Sequence, residues 1–190
     1  LSLPELIRAF GINRVGHAPA VFDIDRLNYI NGIYIRKLTI SELTNRLVEF
    51  DPELATIERR LLERVVTVEQ PRLKTLADFK ELAACYWTTP KYSPDTLVFK
   101  KSSSGATQKG LEAFRNAISK LGSPVWESTT VEQWNDLLSK TVSENKLTNA
   151  DVFWPVRVAL SGLEKSASPA ELLWSLSREE SIKRLQEANK

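Results

Sequence analysis

The 190-residue sequence has no methionine, one histidine, one cysteine and only 7 glycines. Each scarcity removes a class of explanation. A lone thiol, Cys85, excludes an internal disulfide and any cysteine-based zinc site, and a reducing cytoplasm is the simplest setting. His17 is the single imidazole, whereas metal sites want several ligands. No stretch approaches the roughly 18 uninterrupted apolar residues of a membrane span, and no basic-then-apolar segment resembles a secretion signal. Walker-type and glycine-rich dinucleotide loops are missing too. A cytoplasmic chain that starts at Leu1 with no initiator is expected to be a piece of a longer protein. The net charge of +2 is far from the strong basic excess of many nucleic-acid binders. An RNA contact would therefore be a local patch, with the acidic residues facing elsewhere.

What is present is helical periodicity. Leu3, Leu6, Ile7 and Phe10 form one stripe, followed by a loop with Gly11, Gly16 and Pro19. Phe22, Leu27, Ile30 and Tyr34 form a second stripe, opening near Asp23. Thr39 with Glu42 has the spacing of a capping box, each side chain satisfying a free backbone N–H of the first turn. Asp51-Pro52 reads as an N-cap with proline at the first helical position. The helix it opens carries Leu54, Ile57, Leu61, Leu62 and Val65 and ends before Pro71. Thr75 with Asp78 opens the next. From Thr88 to Gly105 loop and turn signals dominate, which places the main internal boundary near Trp87. Helices are then expected around 111–121, 129–142 (a Thr129–Glu132 box), 153–160 (ending at Gly162), 170–176 and 177–188 (a Ser177–Glu180 box). Val65–Val68 and Thr96–Phe99 lean towards strand but are too short. The fold class is all-α.

A search for catalytic chemistry finds none. Cys85 lies on an apolar stretch without a neighbouring base, as an inert buried thiol does. Glu179-Glu180 sits at a helix N-terminus, where acidic residues complement the dipole. Five tryptophans invite a base-stacking role. Trp134, Trp154 and Trp174, however, have core-like apolar neighbours at helical spacing, and Trp87 and Trp126 stand beside loops. Binding is a better class than catalysis.

Two sets of residues resemble a known family. The run Leu3-Pro4-Glu5-Leu6-Ile7-Arg8-Ala9-Phe10, then Asn13-Arg14-Val15 and Pro19-Ala20-Val21-Phe22-Asp23, continues into Asp25-Arg26-Leu27-Asn28-Tyr29-Ile30-Asn31-Gly32-Ile33-Tyr34-Ile35-Arg36. It resembles the segment of bacterial-type, class I glutamyl-tRNA synthetases that follows their second signature motif. Near the other end, Trp154-Pro155-Val156-Arg157-Val158-Ala159-Leu160-Ser161-Gly162, then Ser168-Pro169-Ala170-Glu171-Leu172 and the block from Ser177 to Leu185, resemble consecutive blocks of the same family. The likeness runs in order along nearly the whole chain and is weak from about Lys91 to Lys146. Departures are Ile33, Ser177 where the family usually has glycine, and Trp154.

The resemblance implies a helical bundle in three parts. They are the end of a helical stem-contact region (1–38) and two anticodon-binding subdomains (39–86 and 87–190). It implies a parent that ligates glutamate to its tRNA with ATP and magnesium. The family's catalytic motifs have no match here, so no cofactor is expected in this fragment, which would be inactive alone. The implied partner is the anticodon stem-loop of the glutamate tRNA, with no DNA and no membrane. Single-stranded RNA is read by pairing splayed base edges with side chains while cations anchor phosphates. Two places suit that task. Arg72, in Gln70-Pro71-Arg72, projects from a proline corner, and a guanidinium fork can bond two acceptors. In family members that discriminate between glutamate and glutamine tRNAs, an arginine after this proline reads the last anticodon base. A surface pairing of Arg72 with Asp78 or Glu69 is the plainer alternative. The second place is the loop Gly162–Pro169, where the family contacts the outer anticodon bases. Lys165, Ser166, Ala167, Ser168 and Pro169 are its candidates, with Arg157 either reading RNA or bracing the loop. Lys100, Lys101 and Lys109 read as a solvated basic face. A free-standing helical adaptor for protein partners is the competing hypothesis.

Overall fold

A computed structural model describes residues 3–14, 16 and 21–188. His17, Val15, Pro19 and Ala20, all used in the reading above, lie outside the described residues. Among those described there is no strand, in agreement with the all-α class. The helices are α1 (Leu3–Ala9), α2 (Ile24–Lys37), α3 (Ile40–Phe50), α4 (Arg59–Glu69), α5 (Asp78–Trp87), α6 (Ser104–Ser119), α7 (Ser123–Ser128), α8 (Val131–Glu144), α9 (Asn149–Ser161), α10 (Pro169–Ser175) and α11 (Arg178–Glu187). Short 3-10 turns at Pro52–Thr56, Gln70–Arg72 and Pro94–Leu97 link some of them.

Local chemistry starts most of these helices. Thr39 and Glu42 form the expected reciprocal box, with Thr39 N donating to Glu42 Oε2 at 2.9 Å and Glu42 N to Thr39 Oγ1 at 3.3 Å. Glu171 and Ser168 do the same at α10, whereas at α9 the Asp151 carboxylate accepts from both Thr148 N and Thr148 Oγ1. Other expectations shift. The helix read from Asp51 is two elements: Asp51 caps only the 3-10 turn, and Glu58 caps α4 by accepting from Arg60 N and Leu61 N. The box before α8 is Thr130 with Gln133 rather than Thr129 with Glu132. At α11 only half the box forms. Ser177 accepts from Glu180 N, but the Glu180 carboxylate instead binds Arg184 Nε at 2.7 Å. Both β-leaning runs are absorbed, Val65–Val68 within α4 and Thr96–Phe99 into the 3-10 turn and the bend after it. The helix α7 is not legible from periodicity, because its six residues hold a single buried side chain, Trp126.

The core runs from Leu43, Leu47, Leu62 and Phe79 through Phe114, Trp134, Leu138 and Leu160 to Leu172 and Leu173. Trp126 joins it, its ring centroid 4.4 Å from that of Trp134. The chain's early and late helices pack on each other, α4 on α10 and α5 on α9. The helices α6 and α9 pack closely. Pro155 lies inside α9 and has no N–H, so the Asp151 carbonyl one turn earlier loses its helical donor. Gly110 of α6 lies against that carbonyl, and a Cβ there would sit 1.9 Å from the Asp151 oxygen.

One buried cation closes the structure. Arg184, 2% exposed, donates from Nε to Glu180, from Nη1 to Cys85 O and Leu160 O, and from Nη2 to Tyr86 O (3.5 Å) and Thr88 O (3.2 Å). All five guanidinium N–H groups thus find acceptors. Several of these carbonyls are the donor-less last ones of α5 and α9, where a cation also meets the negative ends of two helix dipoles. At the other extreme, α1 buries no residue, and Leu3, Leu6, Ile7 and Phe10 are all more than half exposed. The predicted stripe is helical, but its apolar side chains stay exposed.

Candidate nucleic-acid interface

The corner that carries Arg72 is anchored from several sides. The helix α4 ends at Glu69, before Pro71. Gln70 Nε2 donates to Ile35 O (3.0 Å) and Leu38 O (2.9 Å), capping the end of α2. Asn31 Nδ2 donates to Lys74 O at 2.7 Å, and Gly32 is so close that a Cβ would come within 3.0 Å of Leu73 O. Asp78 accepts from Lys74 N (2.9 Å) and Thr75 N (2.8 Å). The Asn31-Gly32 pair of the amino-terminal block therefore docks α2 onto the segment after Arg72.

Arg72 itself is partly exposed, its side chain at 32%. Nη1 donates to Val68 O at 2.5 Å, and Nη2 donates to Glu171 Oε2 at 2.9 Å. Glu69 Oε2 is 3.6 Å from Nη1, beyond good hydrogen-bond distance. Asp78 is occupied by backbone amides, so of the two expected pairings only the one with Glu69 forms, as an ion pair without a hydrogen bond and with a buried rather than a surface acid. The hydrogen-bonded carboxylate is Glu171, 99 positions away.

Glu171 is also the acceptor in the capping box of α10. Ser168 N donates to Glu171 Oε2 at 2.7 Å, and Glu171 N donates to Ser168 Oγ at 3.2 Å. Arg72 and the 162–169 loop are thereby brought together through one carboxylate. Burial pushes this carboxyl up, but the Ser168 backbone and side-chain bonds and the Arg72 cation outweigh it, so Glu171 titrates below the usual glutamate range. The loop begins at Gly162, which closes α9 with φ +76° and donates to Val158 O at 2.7 Å. A Cβ at Gly162 would approach Pro90 Cβ and Lys91 N at 3.2 and 3.3 Å, so this left-handed position suits glycine twice over. Within the loop Lys165 is exposed. Ser166 Oγ bonds to Ser161 Oγ (3.1 Å) and Ala167 O (3.0 Å). Ala167 and Pro169 are buried and Ser168 is half-buried. Lys165 is thus the free cation of the loop, while Ala167 and Pro169 shape it from inside.

Arg157 does not join this group. It lines a groove of about 270 Å³ with Phe99, Asn149, Ala150, Phe153 and Trp154. Its Nε is buried without a hydrogen-bond partner, and its carbonyl accepts from Ser161 Oγ at 2.8 Å. Of the expected basic face, Lys100 and Lys101 are exposed and Lys109 donates to Asn145 O at 3.1 Å. Trp154 and Trp174 are only half-buried; Trp174 lies under Arg64, whose guanidinium carbon is 5.3 Å from the ring centroid.

Beneath Arg72 lies a buried acid. Glu69 is 1% exposed, accepts from Tyr86 OH at 2.6 Å, and has its other oxygen without a hydrogen bond. Burial raises its carboxyl above the ordinary range, only partly countered by the Tyr86 bond and Arg72. The Tyr86 hydroxyl is raised strongly by burial and by the adjacent Glu69. Burial also pushes the Cys85 thiol up to about 11, so the thiolate is not available for chemistry. No group of three or more His, Cys, Asp or Glu residues among the described residues could hold a metal ion. Glu171 and Gln70 were not among the residues singled out from sequence. Glu171 stands three residues after Ser168, the spacing of a capping box, but a sequence carries no mark that this glutamate also reaches Arg72.

By fold the chain is an all-helical module, and the same arrangement recurs in two solved structures. One is a glutamate tRNA ligase from Elizabethkingia meningosepticum in complex with its amino acid, with TM-score 0.80 and 20% identity, over 100% of this chain and 36% of that one. The other is the glutamate-tRNA synthetase of Elizabethkingia anophelis, with TM-score 0.74 and 18% identity over the same shares. The chain belongs to the anticodon binding domain family, whose model matches residues 41–189. It is homologous to part of the glutamate–tRNA ligases of Clostridium novyi (strain NT), at 30% identity over 192 residues, and Clostridium botulinum (strain Eklund 17B / Type B), at 32% over 194 residues. These alignments cover 97% of this chain and 38% of each ligase, so the chain spans well under half the length of the relatives it matches. Among the described residues no helix is long and apolar enough to cross a membrane.

Proposed function

We propose that the chain is the anticodon-reading part of a cytoplasmic glutamate–tRNA ligase, and that it selects the glutamate tRNA by its anticodon stem-loop. The observation that carries this is the meeting of Arg72 and the Ser168 end of the 162–169 loop on one carboxylate. Two contacts distant in sequence thus stand on one edge of a rigid helical frame, where consecutive splayed bases could reach both. Arg72 reads the last anticodon base, Lys165 holds a phosphate, and Ser166 and Ser168 offer short polar groups to the neighbouring bases. Arg157, in its separate aromatic groove, contributes a further cation to the RNA surface. Glutamate activation with ATP and magnesium belongs to the remainder of the parent ligase. We divide the chain as 1–38, 39–86 and 87–190, the first closing a stem-contact region and the others forming two anticodon-binding subdomains.

The test is binding of the 190-residue chain to a hairpin carrying the glutamate anticodon and to one differing only in its last base. Affinity for the glutamate hairpin should be modest and fall steeply with salt, because phosphate contacts release counterions. Arg72→Gln should reduce the preference between the hairpins by roughly 5- to 150-fold, the range of one good bidentate base contact. Unchanged preference would remove Arg72 from the reading. A helical adaptor for a protein partner is a second reading. Its support is the apolar face of α1 and α2, where Leu6, Ile7, Phe10, Leu27 and Tyr29 are exposed. Salt-insensitive, equal binding of unrelated hairpins would favour it.

A further inference from the structure

Glu171 makes more bonds than a helix cap requires. A capping box works with glutamine as well as glutamate at its third position, as Thr130 and Gln133 show at the start of α8. At α10 the carboxylate charge is superfluous to the cap. It is not superfluous to Arg72, since Glu171 Oε2 accepts from Arg72 Nη2 at 2.9 Å and from Ser168 N at 2.7 Å.

The Arg72 guanidinium is held from two elements, by Val68 O of α4 and Glu171 of α10. Two fixed bonds set the plane of a rigid fork, and three of its five N–H groups remain for other acceptors. A second carboxylate competes for it. Glu69 Oε2 stands 3.6 Å from Nη1, deep in the fold and without a hydrogen bond of its own. Glu69 is almost wholly buried, whereas the Glu171 side chain is 26% exposed. The two acids share the guanidinium, Glu69 from within and Glu171 from the surface side, and their balance sets how far the fork faces outward.

We infer that Glu171 is the positioning residue of the anticodon reader: its charge holds the outer edge of Arg72 against the pull of buried Glu69 and keeps it in register with the 162–169 loop. This rests on the proposed role of Arg72 in reading RNA. Glu171 acts through Arg72 and need not touch RNA. Once its charge is removed, Glu69 draws the guanidinium inward while the cap on α10 persists.

The experiment measures binding of the 190-residue chain to the same two hairpins by fluorescence anisotropy, with thermal unfolding of each variant alongside. Glu171→Gln should keep the melting temperature within a few degrees yet lower the preference between hairpins at least about fivefold. It should add nothing further on an Arg72→Gln background, because both changes remove one interaction. Ser168→Ala should do the reverse, lowering the melting temperature while the preference stays. Glu171→Asp, which retains the charge, should recover part of the preference, and it serves equally if Glu171→Gln folds poorly. A purely structural Glu171 would weaken both hairpins alike and track the melting temperature. Full preference in Glu171→Gln, or equal loss in the glutamine and aspartate variants, would overturn the inference while leaving the Arg72 reading in place. Unchanged preference in Arg72→Gln would overturn the reading itself.

Discussion

Replacing Arg184 by alanine should be among the most damaging single changes in this chain. The substitution strands four carbonyls and the Glu180 carboxylate, all served by one guanidinium that is 2% exposed. Removing one partner of a buried charge pair costs about 3–5 kcal/mol, because the other polar groups stay buried and unpaired. For a domain of this size each kcal/mol shifts the melting temperature by about 2–4 °C, so a fall of roughly 6–20 °C is expected. Arg184→Lys keeps the charge but offers three donors from one point instead of a planar fork. It should fall between wild type and alanine. Urea unfolding followed by far-UV circular dichroism would show a lower midpoint with an unchanged slope. Hydrogen exchange adds a spatial readout. Leu160 O is one of the acceptors, so protection should drop first around 160–168, at the end of α9 and in the loop after it, and around 85–88. An alanine variant within about 1 kcal/mol of wild type would refute the reasoning, since it would mean these carbonyls are satisfied without the guanidinium.

Two further predictions test the packing and the buried acid. Gly110→Ala would place a Cβ 1.9 Å from Asp151 O, so α6 and α9 must separate. We expect a loss of about 1–3 kcal/mol despite the better helix propensity of alanine. Gly105→Ala in the same helix, where a Cβ meets nothing within 4 Å, should instead gain up to about 1 kcal/mol; equal effects in urea titrations would contradict the close contact. Glu69 has a raised carboxyl in the folded state. Its contribution to stability is therefore fully present below the unfolded value of about 4.3 and is lost as pH rises through the folded one. Glu69→Gln keeps an acceptor for Tyr86 and should flatten the decline in stability as pH rises above about 4.3. A variant profile parallel to wild type across that window would show that Glu69 does not titrate abnormally.

Local order in this protein was open to reading from the chain alone. A capping box such as Thr39–Glu42 acts over three residues, and a helical stripe such as Leu43–Leu47 over one or two turns. Their physics is contained in the spacing. The proline corner that exposes Arg72 and the glycine that ends α9 were legible for the same reason. Errors arose where two local options were nearly equal. Thr129 and Thr130 both precede a suitable acceptor, and Asp51 can cap a 3-10 turn as readily as an α-helix. The α1 stripe shows a different limit. Amphipathic spacing predicts a helix, but it cannot say what the apolar face meets.

The sequence alone determined the helical class, several helix starts and the absence of a cysteine-based metal site, and its family resemblance supplied the Arg72 and 162–169 candidates. Only the tertiary structure decided that these two candidates share Glu171, that Arg157 turns to a separate aromatic groove, and that Arg184 gathers the ends of α5 and α9. The physical reason is range. Caps and amphipathic faces are set by neighbours a turn away, whereas a charge finds its partner by distance in space. Between Arg72 and Glu171, 99 positions apart in the chain, no spacing rule operates until α4 and α10 have packed.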